Sequence, residues 1–146
     1  MDDSVPKRSA SPTVLISDRQ SSPLPEPLTG SLAELASRTL TAEGRHDVEL
    51  SLSFVDGDEM ADLHERYMAE PGPTDVLAFP LDEDGLLGDV VVCPEVAWRN
   101  NPDRDAELRL LVAHGTLHLL GYDHEDEGER AVMWAKQEAY SGVRQA

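Results

Sequence analysis

The chain has 146 residues and a formal net charge of −17, from 29 acidic against 12 basic side chains. That length fits one domain with a substantial core, and no apolar run approaches the ~20 residues of a membrane span. The lone cysteine, Cys93, excludes an intrachain disulfide and reads as a small buried residue at a strand end; Met1 to Ser11 carries no apolar signal segment, so a cytoplasmic protein with no membrane contact is expected.

Residues 1–12 are polar, without periodicity, and are expected to form a disordered leader. Thr13-Val14-Leu15-Ile16 is apolar and β-branched, and predicts a first strand. The proline-rich stretch Ser21 to Pro27 is expected to be irregular. A helix from about Ser31 to Thr41 follows, with Leu32, Leu35, Ala36 and Leu40 on one face and Gly44 as its stop. Val48 to Val55 alternates, with Val48, Leu50, Leu52 and Phe54 to one side, and predicts a second strand. Asp56 stands where it caps a helix to about Met68, with Met60, Leu63 and Tyr67 inward. Pro71-Gly72-Pro73 is a rigid turn before a third strand, Asp75 to Phe79. After a turn at Asp82 to Gly85, the valines of Gly88 to Cys93 suit a central strand buried on both faces. Pro94 opens a short helix to about Arg99, broken by Asn100-Asn101-Pro102. The main helix runs from about Asp105 to Leu120, with Leu108, Leu111, Val112 and Leu119 as its apolar surface. A last helix, about Glu127 to Tyr140, turns Val132, Met133 and Tyr140 inward. These elements predict an α+β fold: a four-stranded mixed sheet packed with about five helices, the main helix at the core.

The end of that helix carries the chemistry. His114 and His118 are four apart, hence one turn apart on one face. Gly121 stands where a helix ends on a left-handed residue. The chain can then turn back and bring His124 to the same point. A histidine pair alone reads as ordinary helix surface; the third histidine, just past a glycine stop, makes a metal site the better reading. Zinc, one per chain, is the first guest for three imidazoles, with the fourth position left to water. Asp123 is the candidate catalytic base or a carboxylate that orients a histidine; the competing reading is a turn residue bonded to its own backbone. Asp89 is a weaker candidate, Tyr122 is expected to pack, and His46 and His64 read as ordinary polar residues.

The spacing H-x3-H-x5-H, with glycine three after the second histidine, resembles the metzincin pattern H-E-x-x-H-x-x-G-x-x-H. The glutamate that serves there as general base is Gly115 here, which argues against a peptidase. The full string from His114 to His124 matches H-G-x-L-H-L-x-G-Y-D-H letter for letter, and so resembles the signature of YbeY-type endoribonucleases, the bacterial rRNA maturation factors. Pro73 to Pro80 and Gly88 to Val92 add support, and the resemblance runs from roughly Val48 to Tyr140.

The resemblance implies a single metal-dependent hydrolase domain over 13–146. It further implies a zinc-dependent, single-strand-specific endoribonuclease in rRNA maturation, with small-subunit end processing and ribosome quality control as its setting. The partners implied are ribosomal RNA or a ribosomal subunit, together with a ribosomal or assembly-factor protein. An arginine and a lysine often found near the substrate cleft of that family are Met68 and Gly72 here; Arg66 is the neighbour placed to substitute. Affinity for nucleic acid rests on basic contacts with phosphates, so a chain at −17 needs a local basic patch or a partner that brings the RNA. Two alternatives therefore stay open: a ribosome-assembly protein whose metal only braces the helix turn, and a metal-dependent hydrolase of another substrate. For RNA, attack by water or by the neighbouring 2′-hydroxyl both remain open.

Overall fold

A computed structural model of the protein describes residues 11–144. The expected leader over 1–12 therefore lies, except for Ser11 and Pro12, outside the described residues. Four strands and five helices follow in chain order: β1 (Thr13–Asp18), α1 (Glu26–Ala42), β2 (Glu49–Phe54), α2 (Gly57–Met68), β3 (Val76–Glu83), β4 (Leu86–Val92), α3 (Pro94–Asn100), α4 (Arg104–Leu119) and α5 (Glu127–Ser141). The strands form one sheet in the order β1-β2-β4-β3. β1, β2 and β4 are parallel, in register Val14 with Leu50 and Leu52 with Val90, and β3 is antiparallel to β4. The mixed sheet and five helices are those expected from the sequence.

Alternation along the strands sends side chains to two unequal cores. On one face Leu50, Leu52, Phe54, Val90 and Val92 pack with Leu32, Leu35, Ala36 and Leu40 of α1 and with Leu108, Leu111 and Val112 of α4. On the other, Leu77 and Val91 meet Val55, Met60 and Cys93, with Leu63 against them. β4 is thus covered on both faces, as its run of valines predicts. Fully burying each such side chain contributes roughly 1.5–3 kcal/mol, so the larger cluster dominates stability. α4 lies within it, in contact with α1, α3, α5, β3 and β4.

Several boundaries differ from the sequence reading, each for a local reason. α1 starts at Glu26 rather than Ser31, because Pro27 falls in its first turn, where a missing N–H costs nothing. β3 extends to Glu83, and its hairpin with β4 closes on Asp84 and Gly85, both at positive φ (49° and 82°), the pattern of a tight two-residue turn. Asp56 occupies the cap position of α2, but its side chain makes no cap bond. It accepts instead from the N–H and hydroxyl of Ser21 at 2.8 and 2.6 Å. Tyr67 and Val132, expected inward, are 59% and 49% exposed. The buried face of α5 is Met133, Gln137 and Ser141.

One contact fixes how closely α4 approaches the sheet. A Cβ placed on Gly115 would lie 2.5 Å from Val90 Cγ1 and 3.2 Å from its Cγ2. Valine is stiff at χ1 and cannot swing aside. Gly115→Ala adds helix propensity worth about 1 kcal/mol, but overpacking costs about 1–3 kcal/mol. A net loss of up to roughly 2 kcal/mol is expected, read as a lower urea midpoint of the metal-free protein. Val90→Ala in the same chain should recover part of it; an unchanged midpoint in Gly115→Ala would show that β4 yields freely.

Candidate metal centre

α4 begins on Asp103, whose carboxylate accepts from the N–H of Ala106 at 3.1 Å. It ends in a glycine reversal. Gly121 sits at a φ of +102°; its N–H donates to His118 O at 3.0 Å and the N–H of Tyr122 to Leu117 O at 3.1 Å. This pair of bonds is a Schellman closure, which satisfies the last carbonyls and turns the chain back along the helix. Asp123 Oδ1 then accepts the N–H of His124 at 2.7 Å and sets the backbone of the third histidine. That bond holds the Asp123 carboxyl below its ordinary pKa, assisted by the nearby His118 and His124.

The three imidazoles meet. One ring nitrogen from each of His114, His118 and His124 lies within 4.8 Å of the others, and all three residues are half-buried. Ring centroids are 5.5 to 5.7 Å apart. Among the described residues no carboxylate or thiol joins the group, and Cys93 is buried in the smaller core. Burial is the main cause that lowers the pKa of His114, with a hydrogen bond to Gln137 opposing it. A lowered pKa keeps that imidazole neutral, the form that ligates. Three imidazole nitrogens at this separation suit a borderline-soft divalent ion with one position left open.

The triad opens on a cleft of about 500 Å³ between α4, β3 and α2. Thr74, Asp75, Leu77 and Ala78 form one wall, Leu110 and Leu111 another, and His64 and Met68 stand at the α2 side. Among the described residues no lysine or arginine lines it. Arg66 is exposed on another face of α2 and pairs with Asp62 at 2.9 Å. Asp89 lines a separate cavity on the far face of the sheet, beside Ser51, Ser53 and Phe79. Tyr122 turns away from the cleft to Glu43.

Three residues of this site carried no signal in the reading of the sequence. His64, one turn after Met60 on α2, bonds Gly72 O through Nδ1 at 2.8 Å and lies 3.3 Å from Glu70. Trp134 sets its ring against His114 and His124, at 6.2 and 5.6 Å between centroids. Gln137 Oε1 lies 2.5 Å from His114 Nδ1. The available signal for the last two was their place beside Met133 and one turn after it, which only the correct phase of α5 reveals.

Behind the site Glu43, just past α1, accepts from Tyr122 Oη at 2.5 Å, from Lys136 Nζ at 2.9 Å and from Tyr140 Oη. Burial opposes its ionisation, but the three donors together hold its pKa below the ordinary value. Lys136 is raised by the same contact, Glu43 first, and lies over the rings of Tyr122 and Tyr140. The cluster ties the histidine-bearing turn to α1 and α5.

A small mixed-sheet α+β protein, with three histidines gathered at one helix end above a cleft, belongs to the class of folds with a His triad that could hold one metal ion. Sequence comparison narrows it. The family model described as Endoribonuclease YbeY matches residues 16–142, and the chain belongs to the YbeY family. It is 46% identical to the Endoribonuclease YbeY of Thermobifida fusca, over 79% of this chain and 85% of that one. The protein of the same name from Nocardia farcinica is 44% identical over 70% of each chain. A solution structure of a Thermotoga maritima protein superposes with a TM-score of 0.64 at 33% identity, covering 88% of this chain and 87% of that one.

Glu43→Gln is expected to destabilise the protein by roughly 1–3 kcal/mol at neutral pH, the cost of weakening a set of part-buried bonds. Because the native pKa is lowered, the contribution is complete above the unfolded value, about pH 4.3. It is lost as pH falls through the native pKa. Denaturation curves of the two proteins should therefore converge in acid; a gap that persists at low pH would remove the charge from the explanation.

Proposed function

We propose that the protein is an endoribonuclease that hydrolyses RNA phosphodiester bonds at a single zinc held by His114, His118 and His124. The substrate we propose is single-stranded ribosomal RNA during maturation and quality control of the small subunit in the cytoplasm, with a ribosomal or assembly-factor protein as partner. Residues 13–146 form the single hydrolase domain of this reading. Its main support is the three converging ring nitrogens with no fourth protein ligand among the described residues, since structural zinc sites are closed and catalytic ones keep a position open. When bound, the ion supplies a Lewis acid for a phosphoryl oxygen and lowers the pKa of water to about 7.

The chain's own residues supply the rest. The neutral imidazole of His114 and the turn at Gly121 hold the donor set open toward the cleft. Leu77, Leu110 and Leu111 give it dry walls, and there a hydrogen bond to a phosphate oxygen is stronger than in water. Asp123, held ionised beside His118 and His124, is the proposed proton acceptor; Asp75, inside the cleft, is the competing carboxylate. Arg66 is a proposed phosphate contact for RNA crossing α2, provided that it leaves Asp62. The absence of lysine and arginine from the cleft among the described residues, with the −17 charge, favours one second reading. In that reading the metal braces the turn of an assembly protein and catalysis is minor.

Cleavage of a single-stranded RNA by metal-analysed protein, beside His114→Ala, separates the two readings. Activity is expected only in the unaltered protein; zinc-loaded protein that leaves RNA intact would support the assembly role. His118→Ala should lose zinc by elemental analysis, and full occupancy would sink the triad. Nickel or copper in place of zinc would correct the metal alone, because three imidazoles accept either. Asp123→Asn should slow cleavage about 10²–10⁴-fold with zinc retained. Full activity there, with loss in Asp75→Asn, transfers the base role to Asp75. RNA binding should weaken only shallowly with salt, because few phosphates can be neutralised; a steep slope would reveal a basic face.

A further inference from the structure

The only ring among the three histidines with a side-chain hydrogen bond, among the described residues, is that of His114. Its partner is Gln137, which is 2% exposed and stands on the buried stripe of α5 between Met133 and Ser141. An amide so placed needs a partner, because unpaired burial of a polar group is unfavourable. Its Oε1, at 2.5 Å from His114 Nδ1, can only accept. With Oε1 turned to the ring, the bond requires the proton on Nδ1, which leaves the lone pair of Nε2 for a ligand. The opposite tautomer would present an N–H to the centre and could not ligate. Trp134, one turn earlier on α5, packs against the same ring and against His124, so the imidazole is held in plane as well as in tautomer.

We propose that Gln137 is a positioning residue of the metal centre: it fixes the Nδ1–H tautomer and the ring orientation of His114, and so presets the first of three ligands before the ion arrives. The role rests on the reading of the triad as a metal site and adds to it a residue from a separate helix. It also gives α5 a part in the chemistry, since the helix supplies no ligand of its own.

The test needs zinc and cobalt as probes, and two substitutions. Gln137→Met keeps volume and removes the acceptor; Gln137→Glu keeps the acceptor. Zinc affinity, by competition with a chromophoric chelator, is expected to fall about 10–100-fold in Gln137→Met and to stay close to the parent in Gln137→Glu. The visible absorption of the cobalt-loaded Gln137→Met protein should shift, as a purely structural role would not require. Affinity unchanged in Gln137→Met, or lost equally in both variants, would overturn the proposal. A readout that needs no variant is the imidazole ¹H–¹⁵N spectrum of the metal-free parent. His114 is expected as the Nδ1–H form, and the Nε2–H form would overturn the assignment even if Gln137→Met failed to fold. Failure of the underlying reading looks different: a parent protein that binds no zinc overturns the triad itself. One that binds zinc but cleaves no RNA overturns only the nuclease.

Discussion

Tyr122 N–H reaches the Leu117 carbonyl because Gly121 stands at a φ that other residues seldom adopt, and the centre depends on that bond. Two of its histidines are on α4 by helical spacing alone. The third arrives only if the chain doubles back within a few residues of the helix end. Every other feature near the turn serves the same geometry. Asp123 pins the backbone of His124 from one side, and Tyr122 anchors the loop to Glu43 from the other. Because Glu43 also holds Lys136 and Tyr140, the turn, α1 and α5 form one braced unit rather than three independent elements.

The parts of this architecture that were legible in the sequence are those set by local rules. Histidines at i and i+4, a glycine three residues on and a further histidine encode their convergence within eleven residues. Leu32, Leu35, Ala36 and Leu40 phase α1 correctly because four apolar residues leave one choice of face. α5 shows the limit: Val132 and Met133 are adjacent and equally apolar, so composition cannot decide which points inward. Packing against α4 decides for Met133, and Gln137 and Trp134 come with it to the site. His64 was hidden for a related reason. Its relation to the cleft depends on how α2 lies across β3, which no spacing within α2 records. Tyr67 reads as a buried aromatic, yet it sits where α2 leaves the sheet uncovered.

Charge is distributed in a way that separates binding from chemistry. The described ion pairs are mostly short-range and exposed, such as Arg38 with Glu34 and Arg99 with Glu95, and such pairs add little stability. Arg19, which bonds Glu59 through Nε and Nη2, ties the end of β1 to α2. None of these cations enters the cleft. The cleft therefore joins three imidazoles to largely apolar walls, in a chain whose formal net charge is −17. If this cleft receives an anionic polymer, as proposed, its own described side chains offer no cation to draw the strand in, so that attraction has to come from an ion held by the triad or from a partner.

The contact between Gly115 and Val90 bears on what the scaffold can become. The position after the first histidine is the one at which metzincin peptidases hold their general base, and here it faces a valine of the sheet at a separation that admits even a methyl group only if helix or strand shifts. Acquiring a glutamate there would require the strand to change first, and a smaller residue at position 90 would open a void in the main core without any catalytic return. The two steps are each unfavourable alone. The intimate seating of helix on sheet thus couples residue 115 to residue 90, so that what can stand beside the first histidine is limited by packing rather than by the chemistry of the site.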